Sequence, residues 1–168
     1  MVQSAFLNEH KVVLAGASSF VASFSDYSNG NPATDVISMA NWDRVIFVLA
    51  KGAGAVGTAT ITIQSCDDTT PTTATAIQFY YRYSTGGTDT FSEWKINAAS
   101  GATTGVTTVA GADQIYEFTV TSDMLHGDDK YVRLKVDEVD STAVNGCIIA
   151  ILCEPRHADP TNSPTVLS

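Results

Sequence analysis

The stretch Asn41 to Asp68, NWDRVIFVLAKGAGAVGTATITIQSCDD, constrains the fold of this chain more than any other. Two strand-like runs, Val45–Ala50 and Thr58–Cys66, flank the glycines Gly52, Gly54 and Gly57. The first run is apolar on both faces. The second alternates, with Ala59, Ile61 and Ile63 on one face and Thr58, Thr60, Thr62 and Gln64 on the other, the period of two that marks a half-buried strand. Together they predict a hairpin with a glycine-rich turn that founds a β-sheet core. The letters G-x-G-x-x-G from Gly52 to Gly57 are no dinucleotide motif, because a strand follows them and not a helix.

The same period runs through much of the chain. Phe20–Ser25 alternates, and Val36–Met39 is a short strand leading to Trp42. Ile77–Ser84 sets Ile77, Phe79, Tyr81 and Tyr83 against Gln78, Tyr80, Arg82 and Ser84. Phe91–Asn97 follows, with Trp94 and Ile96 expected to look inward. Ala98–Ala112 is small and Gly/Thr-rich, an excursion with one weak strand pairing. Ile115–Thr121 opposes Tyr116, Phe118 and Val120 to Glu117, Thr119 and Thr121. Ser122–Gly127 reads as one helical turn, capped by Ser122 or Asp123 and ended by Gly127. Tyr131–Val139 places Val132, Leu134 and Val136 inward. Cys147–Cys153 is apolar throughout and predicts a central strand covered on both sides.

About eight strands with turn signals between them and no long helix predict an all-β, two-sheet β-sandwich, with a jelly roll as the best specific form. An immunoglobulin-like sandwich is second, since no cysteine pair brackets a tryptophan. The expected division is an N-terminal arm over 1–19, a sandwich domain over 20–154 and an extended, proline-punctuated C-terminal tail over 155–168. Val12–Leu14 within the first arm is able to pair at a sheet edge.

Chemistry is sparse. At 168 residues, with 44% hydrophobic and 16% charged residues, the chain suits one domain with a quiet surface. A formal charge of −9 and nine scattered basic residues argue against nucleic acid. No apolar run nears the ~20 residues that span a bilayer, and Asn8, Glu9, His10 and Lys11 interrupt any leader-like run, so synthesis and folding in a cytosol are expected. Asp67-Asp68 and Asp128-Asp129 lack calcium-loop spacing and read as solvated loop acids. His10, His126 and His157 lie too far apart to suggest zinc. No nucleophile elbow is present, so no catalytic residue, metal or cofactor is expected and the chain is read as no enzyme. Cys66, Cys147 and Cys153 read as reduced, buried thiols, with a later disulfide as the alternative.

What remains is interaction. Tyr80 with Arg82 forms a credible exposed pair for an interface, where both types are enriched. The two arms are the other candidates, because ordering an arm costs ~1–2 kcal/mol per residue and a partner must offset it. The residues assigned to interaction are therefore Phe6 and Leu7, Tyr80 and Arg82, and Pro155 and Arg156.

From Val36 to Ala158 the landmarks DRVIFVLAKGAG, QSCDD, YVRLKV and EPRHA resemble small proteins from the structural gene clusters of tailed bacteriophages, the head decoration (cement) or minor capsid proteins. That resemblance implies a β-sandwich on the capsid exterior of a virion, made in the host cytoplasm. It implies a major capsid protein as partner and homotrimers at local threefold positions. It carries over no individual site residue. A carbohydrate- or receptor-binding module of a tail or fibre is the alternative, and it requires an exposed aromatic patch on Tyr80 or Trp94.

Overall fold

A computed structural model describes residues 10–15, 26–54, 56–84, 86–97, 104–156 and 166–167. Eight strands form its framework: β1 (His10–Leu14), β2 (Val36–Ser38), β3 (Trp42–Lys51), β4 (Ala59–Cys66), β5 (Ala74–Ala76), β9 (Gln114–Thr121), β10 (Tyr131–Glu138) and β11 (Gly146–Pro155). Four short additions are β6 (Tyr80–Ser84), β7 (Lys95–Ile96), β8 (Val106–Thr107) and β12 (Val166–Leu167). The first sheet runs β1-β11-β3-β9-β6-β7 and the second β12-β2-β10-β4-β5, with β8 on β4. All pairings are antiparallel.

The pairings of the framework strands are nested: β1 with β11, β2 with β10, β3 with β9, and β4 with β5. A long antiparallel ribbon folded back on itself gives this order, and wrapping it into two sheets makes the double Greek key of a jelly roll. The fold is therefore the expected all-β sandwich. β1 comes from the segment read as an arm and lies at the edge of the first sheet. The strand expected at Phe20–Ser25 lies outside the described residues.

One expectation fails outright. β3 and β4 do not pair: β3 sits between β11 and β9, and β4 sits in the other sheet between β10 and β5. The glycine-rich link is a corner that carries the chain from sheet to sheet. It packs on the β10–β11 connection, where the Gly52 N–H donates to the Asn145 carbonyl at 2.7 Å and the Asn145 N–H to the Ala53 carbonyl at 2.9 Å. Gly54 has φ +110, and a Cβ there would run into the Ala143 carbonyl oxygen. Close backbone approach thus explains the glycine, and no hairpin turn is needed.

Inward residues of the two sheets meet in one core. Val45, Phe47, Leu49, Tyr116, Phe118, Val120, Ile148, Ala150 and Leu152 face Ala59, Ile61, Ile63, Val132, Leu134 and Val136, all essentially buried. Phe79 meets Phe118 edge-on at 5.8 Å, and Tyr83 stacks on Tyr116 at 5.2 Å, favourable aromatic geometries. At one end, Lys51 is 2% exposed and donates to the Val109 carbonyl at 2.7 Å. The helical turn is a 3₁₀ turn at Ser122–Met124, and its N-cap is Thr121, without a side-chain cap bond. Ser122 instead donates to Asp43 at 3.0 Å.

Candidate functional site

The outward faces of the two sheets differ in kind. On the second sheet, Thr60, Thr62 and Gln64 of β4 lie beside Asp137, Lys135 and Arg133 of β10. Lys135 pairs with Asp137 at 2.7 Å, and Arg133 donates to Gln64 at 2.8 Å. That face is hydroxylic and charged, as expected for one wetted by solvent.

The first sheet turns an apolar face outward. Its register aligns Val12, Ile151, Ile46, Thr119, Tyr80 and Ile96 in one cross-strand row through all six strands. Five interstrand spacings make that row about 24 Å long. A second row holds Ile149, Val48, Glu117 and Arg82, and a third Cys147, Ala50, Ile115 and Ser84. Of the exposed large hydrophobics among the described residues, Val12, Tyr80, Ile96 and Ile115 belong to these rows, and Trp94 joins them through Arg82. Ile46, Val48, Ile149 and Ile151 are half-buried, with no described element over them.

The charges on this face cancel locally. Arg82 donates to Glu117 at 2.6 Å, and its guanidinium lies 4.7 Å from the Phe91 ring centre and 4.6 Å from that of Trp94. Stacking on two rings while bonding a carboxylate uses the planar guanidinium in a way a lysine would not. Trp94 and Ile96, expected inward, are 44% and 40% exposed. The reason is geometric: Ile96 is opposite Tyr80, whose side chain is on the outer face, so strand parity sends Ile96 outward, and Trp94, just before β7, lies against the outward Arg82 guanidinium. At the rim Arg44 pairs with Glu154 at 3.0 Å.

Two concavities lie at the ends of this face. One, about 670 Å³, has Ala50, Ile115 and Cys147 on its floor, with Gly52, Gly87, Thr88, Asp89, Asp113 and Asn145 around it. The other, about 550 Å³, is lined by His10, Arg44, Ile46, Cys153, Glu154 and Pro155.

The residues assigned to interaction are thus partly gathered. Tyr80 and Arg82 share the apolar face, Tyr80 being 45% exposed. Pro155 ends β11 opposite Trp42, and Arg156 pairs with Asp43 at 2.6 Å, both at the far end of the same sheet. The Arg156 guanidinium and then the Ser122 hydroxyl hold the Asp43 carboxyl below its ordinary range. Phe6 and Leu7 lie outside the described residues. Sequence reasoning passed over Val12, Ile46, Val48, Ile115, Ile149 and Ile151, although the apolar character of β3 and β11 on both faces pointed to Ile46, Val48, Ile149 and Ile151.

The acidic pairs separate. Asp67 and Asp68 are exposed, whereas Asp129 accepts from the Ser65 hydroxyl at 2.7 Å and is part of the packing. Among the described residues no group of three or more His, Cys, Asp and Glu side chains converges on a metal position. Cys66, Cys147 and Cys153 are free thiols, and burial pushes Cys66 up to about 11 and raises Cys153. Chemically, the site offers a largely apolar surface on which Arg82 and Arg44 are each paired with a glutamate. No protein-family model, no curated protein and no solved structure matches this chain.

Proposed function

We propose that this chain is a structural virion protein that decorates the outside of a tailed-phage head. In this reading it is a cement protein and no enzyme. It binds the major capsid protein, bridges neighbouring subunits and opposes rupture of the shell with its binding free energy. The observation that carries the reading is the largely apolar outer face of the first sheet, backed by a hydroxylic, charged second face. One side suits a dry contact with another protein, and the other suits water. The phage-cluster resemblance of DRVIFVLAKGAG, YVRLKV and EPRHA supplies the shell as the partner and a homotrimer as the assembled form. Electron microscopy of heads from the phage encoding the chain tests it. Density for this sandwich should stand on the exterior in fixed proportion to the shell protein, with the first sheet turned toward the shell. Heads that contain none of the chain refute the reading.

A second reading is favoured by one specific observation. Tyr80 and Trp94 are both exposed on one face, and aromatic faces of this kind stack on sugars. In that case the chain is a glycan- or receptor-binding module of a tail or fibre. Glycan-array binding that Trp94→Ala abolishes supports it, and an empty array removes it.

A further inference from the structure

We infer that the 670 Å³ pocket at the β3–β9–β11 end of the apolar face takes a basic side chain of the shell protein, its apolar stem on the floor and its cation at the mouth. The inference rests on the decoration reading and names what that reading's face would grip. The floor is the third cross-strand row, Cys147, Ala50 and Ile115, continuous with the rest of the face. Its size falls in the range of about 300–1,000 Å³ typical of ligand sites.

The wall is built rather than incidental. Gly86 and Gly87 both have φ +67, and Asp113 has φ +55, conformations that side chains rarely adopt. The Gly87 N–H donates to the Asp113 carbonyl at 2.9 Å and so ties the β6–β7 turn to the start of β9. That tie leaves Asp89 and Asp113 on the pocket lining, both exposed. Neither has an ion-pair partner among the described residues, whereas Glu117 and Glu154 on the same face are each paired with an arginine. Among the described residues the one cation on the lining, Lys51, is buried with its ammonium on the Val109 carbonyl. An apolar floor below two unpaired carboxylates, on a chain of net charge −9, selects a cation carried on an apolar body.

Cys147 gives a native readout, since it lies on the floor and is half-buried, while Cys66 and Cys153 are buried. Alkylation of Cys147 by iodoacetamide is compared between free protein and protein bound to heads. Protection on heads is expected, and equal labelling while bound overturns the inference. Ala50→Trp, which fills the floor, should weaken head binding at least about thirtyfold, as for loss of one interface anchor. Asp89→Asn with Asp113→Asn, the latter compatible with positive φ, should weaken it about tenfold at low salt and flatten its salt dependence. Thr62→Trp on the opposite face is the control and should leave binding unchanged. If the chain does not bind heads at all, the decoration reading fails, and the pocket is judged by an NMR titration with phenethylamine. Shifts at the Ala50, Ile115 and Cys147 amides that phenylpropionate does not produce uphold a cation site. No shifts, or equal ones, overturn it.

Discussion

Cys66 and Tyr116 carry the clearest electrostatic consequence of the core. Burial pushes the Cys66 thiol from 9.0 up to about 11 and the Tyr116 phenol from 10.0 up to about 12. Both groups hold their protons more tightly folded than unfolded. Their contribution is complete below about pH 9 and is lost as pH rises through the folded values. The urea midpoint should therefore hold steady to about pH 9 and fall between pH 9 and 12, and Cys66→Val should remove the earlier part of the fall. Lys51 acts in the opposite sense, because burial lowers its value and its penalty fades as pH rises. Glycine positions separate just as sharply. Gly54→Ala combines positive φ with a collision against the Ala143 carbonyl and should cost about 3 kcal/mol. Gly30→Ala, at φ +76 with nothing within 4 Å, should cost only about 1 kcal/mol. Urea titrations of the two variants check the difference. Sequence alone gave no means to tell these glycines apart, because a run of small residues does not record what packs against it.

At the scale of elements, alternation revealed strands and little about their partners. Ile61 and Ile63 in β4, Phe118 in β9 and Leu134 in β10 announced their inward faces, since period two is a local property of the backbone. The neighbours of β3 are β9 and β11, which lie far along the chain, and no local pattern encodes that choice. Sequence nearness therefore suggested a β3–β4 hairpin where the chain turns a corner. β8 was legible only as a weak pairing; besides its backbone ladder to β4, a side chain just beyond it helps to hold it in place. Thr108, 2% exposed, accepts from the Ala59 N–H at 3.1 Å and lies 3.4 Å from the Tyr27 hydroxyl. Thr108→Val keeps the shape but strands that N–H, and should destabilise by about 1–3 kcal/mol. Faster hydrogen exchange at Ala59 and Thr108, with the β3–β11 ladder unchanged, is the accompanying signature. The outer face was half legible as well. Ile46 and Val48, with Ile149 and Ile151, made both strands apolar on both sides, and for Cys147–Cys153 a cover on both sides was expected. Among the described residues that cover is missing from the chain itself.

For the whole molecule, a surface divided this way should separate stability from attachment. Ile46→Lys with Ile151→Lys changes two half-buried positions on the outer face and leaves the inward core intact. The thermal midpoint should move by only a few degrees, as for surface substitutions, while the head binding proposed above should be lost. A large drop in the midpoint would mean instead that the face helps hold the sandwich together. The nested ribbon has one more consequence, which concerns the order of events in time. β11 lies between β1 and β3, joining the earliest described strand to the middle of its sheet. Until Gly146–Pro155 has been synthesised, β1 has no neighbour and β3 has one side open. A chain still growing on the ribosome is a half-sheet with an exposed edge, and the fold closes only when its late strand slides into a slot held open by earlier ones. A chain ending before Gly146 should show no cooperative unfolding transition. Supplying residues 146–155 as a separate peptide should restore one, as a missing keystone does an arch.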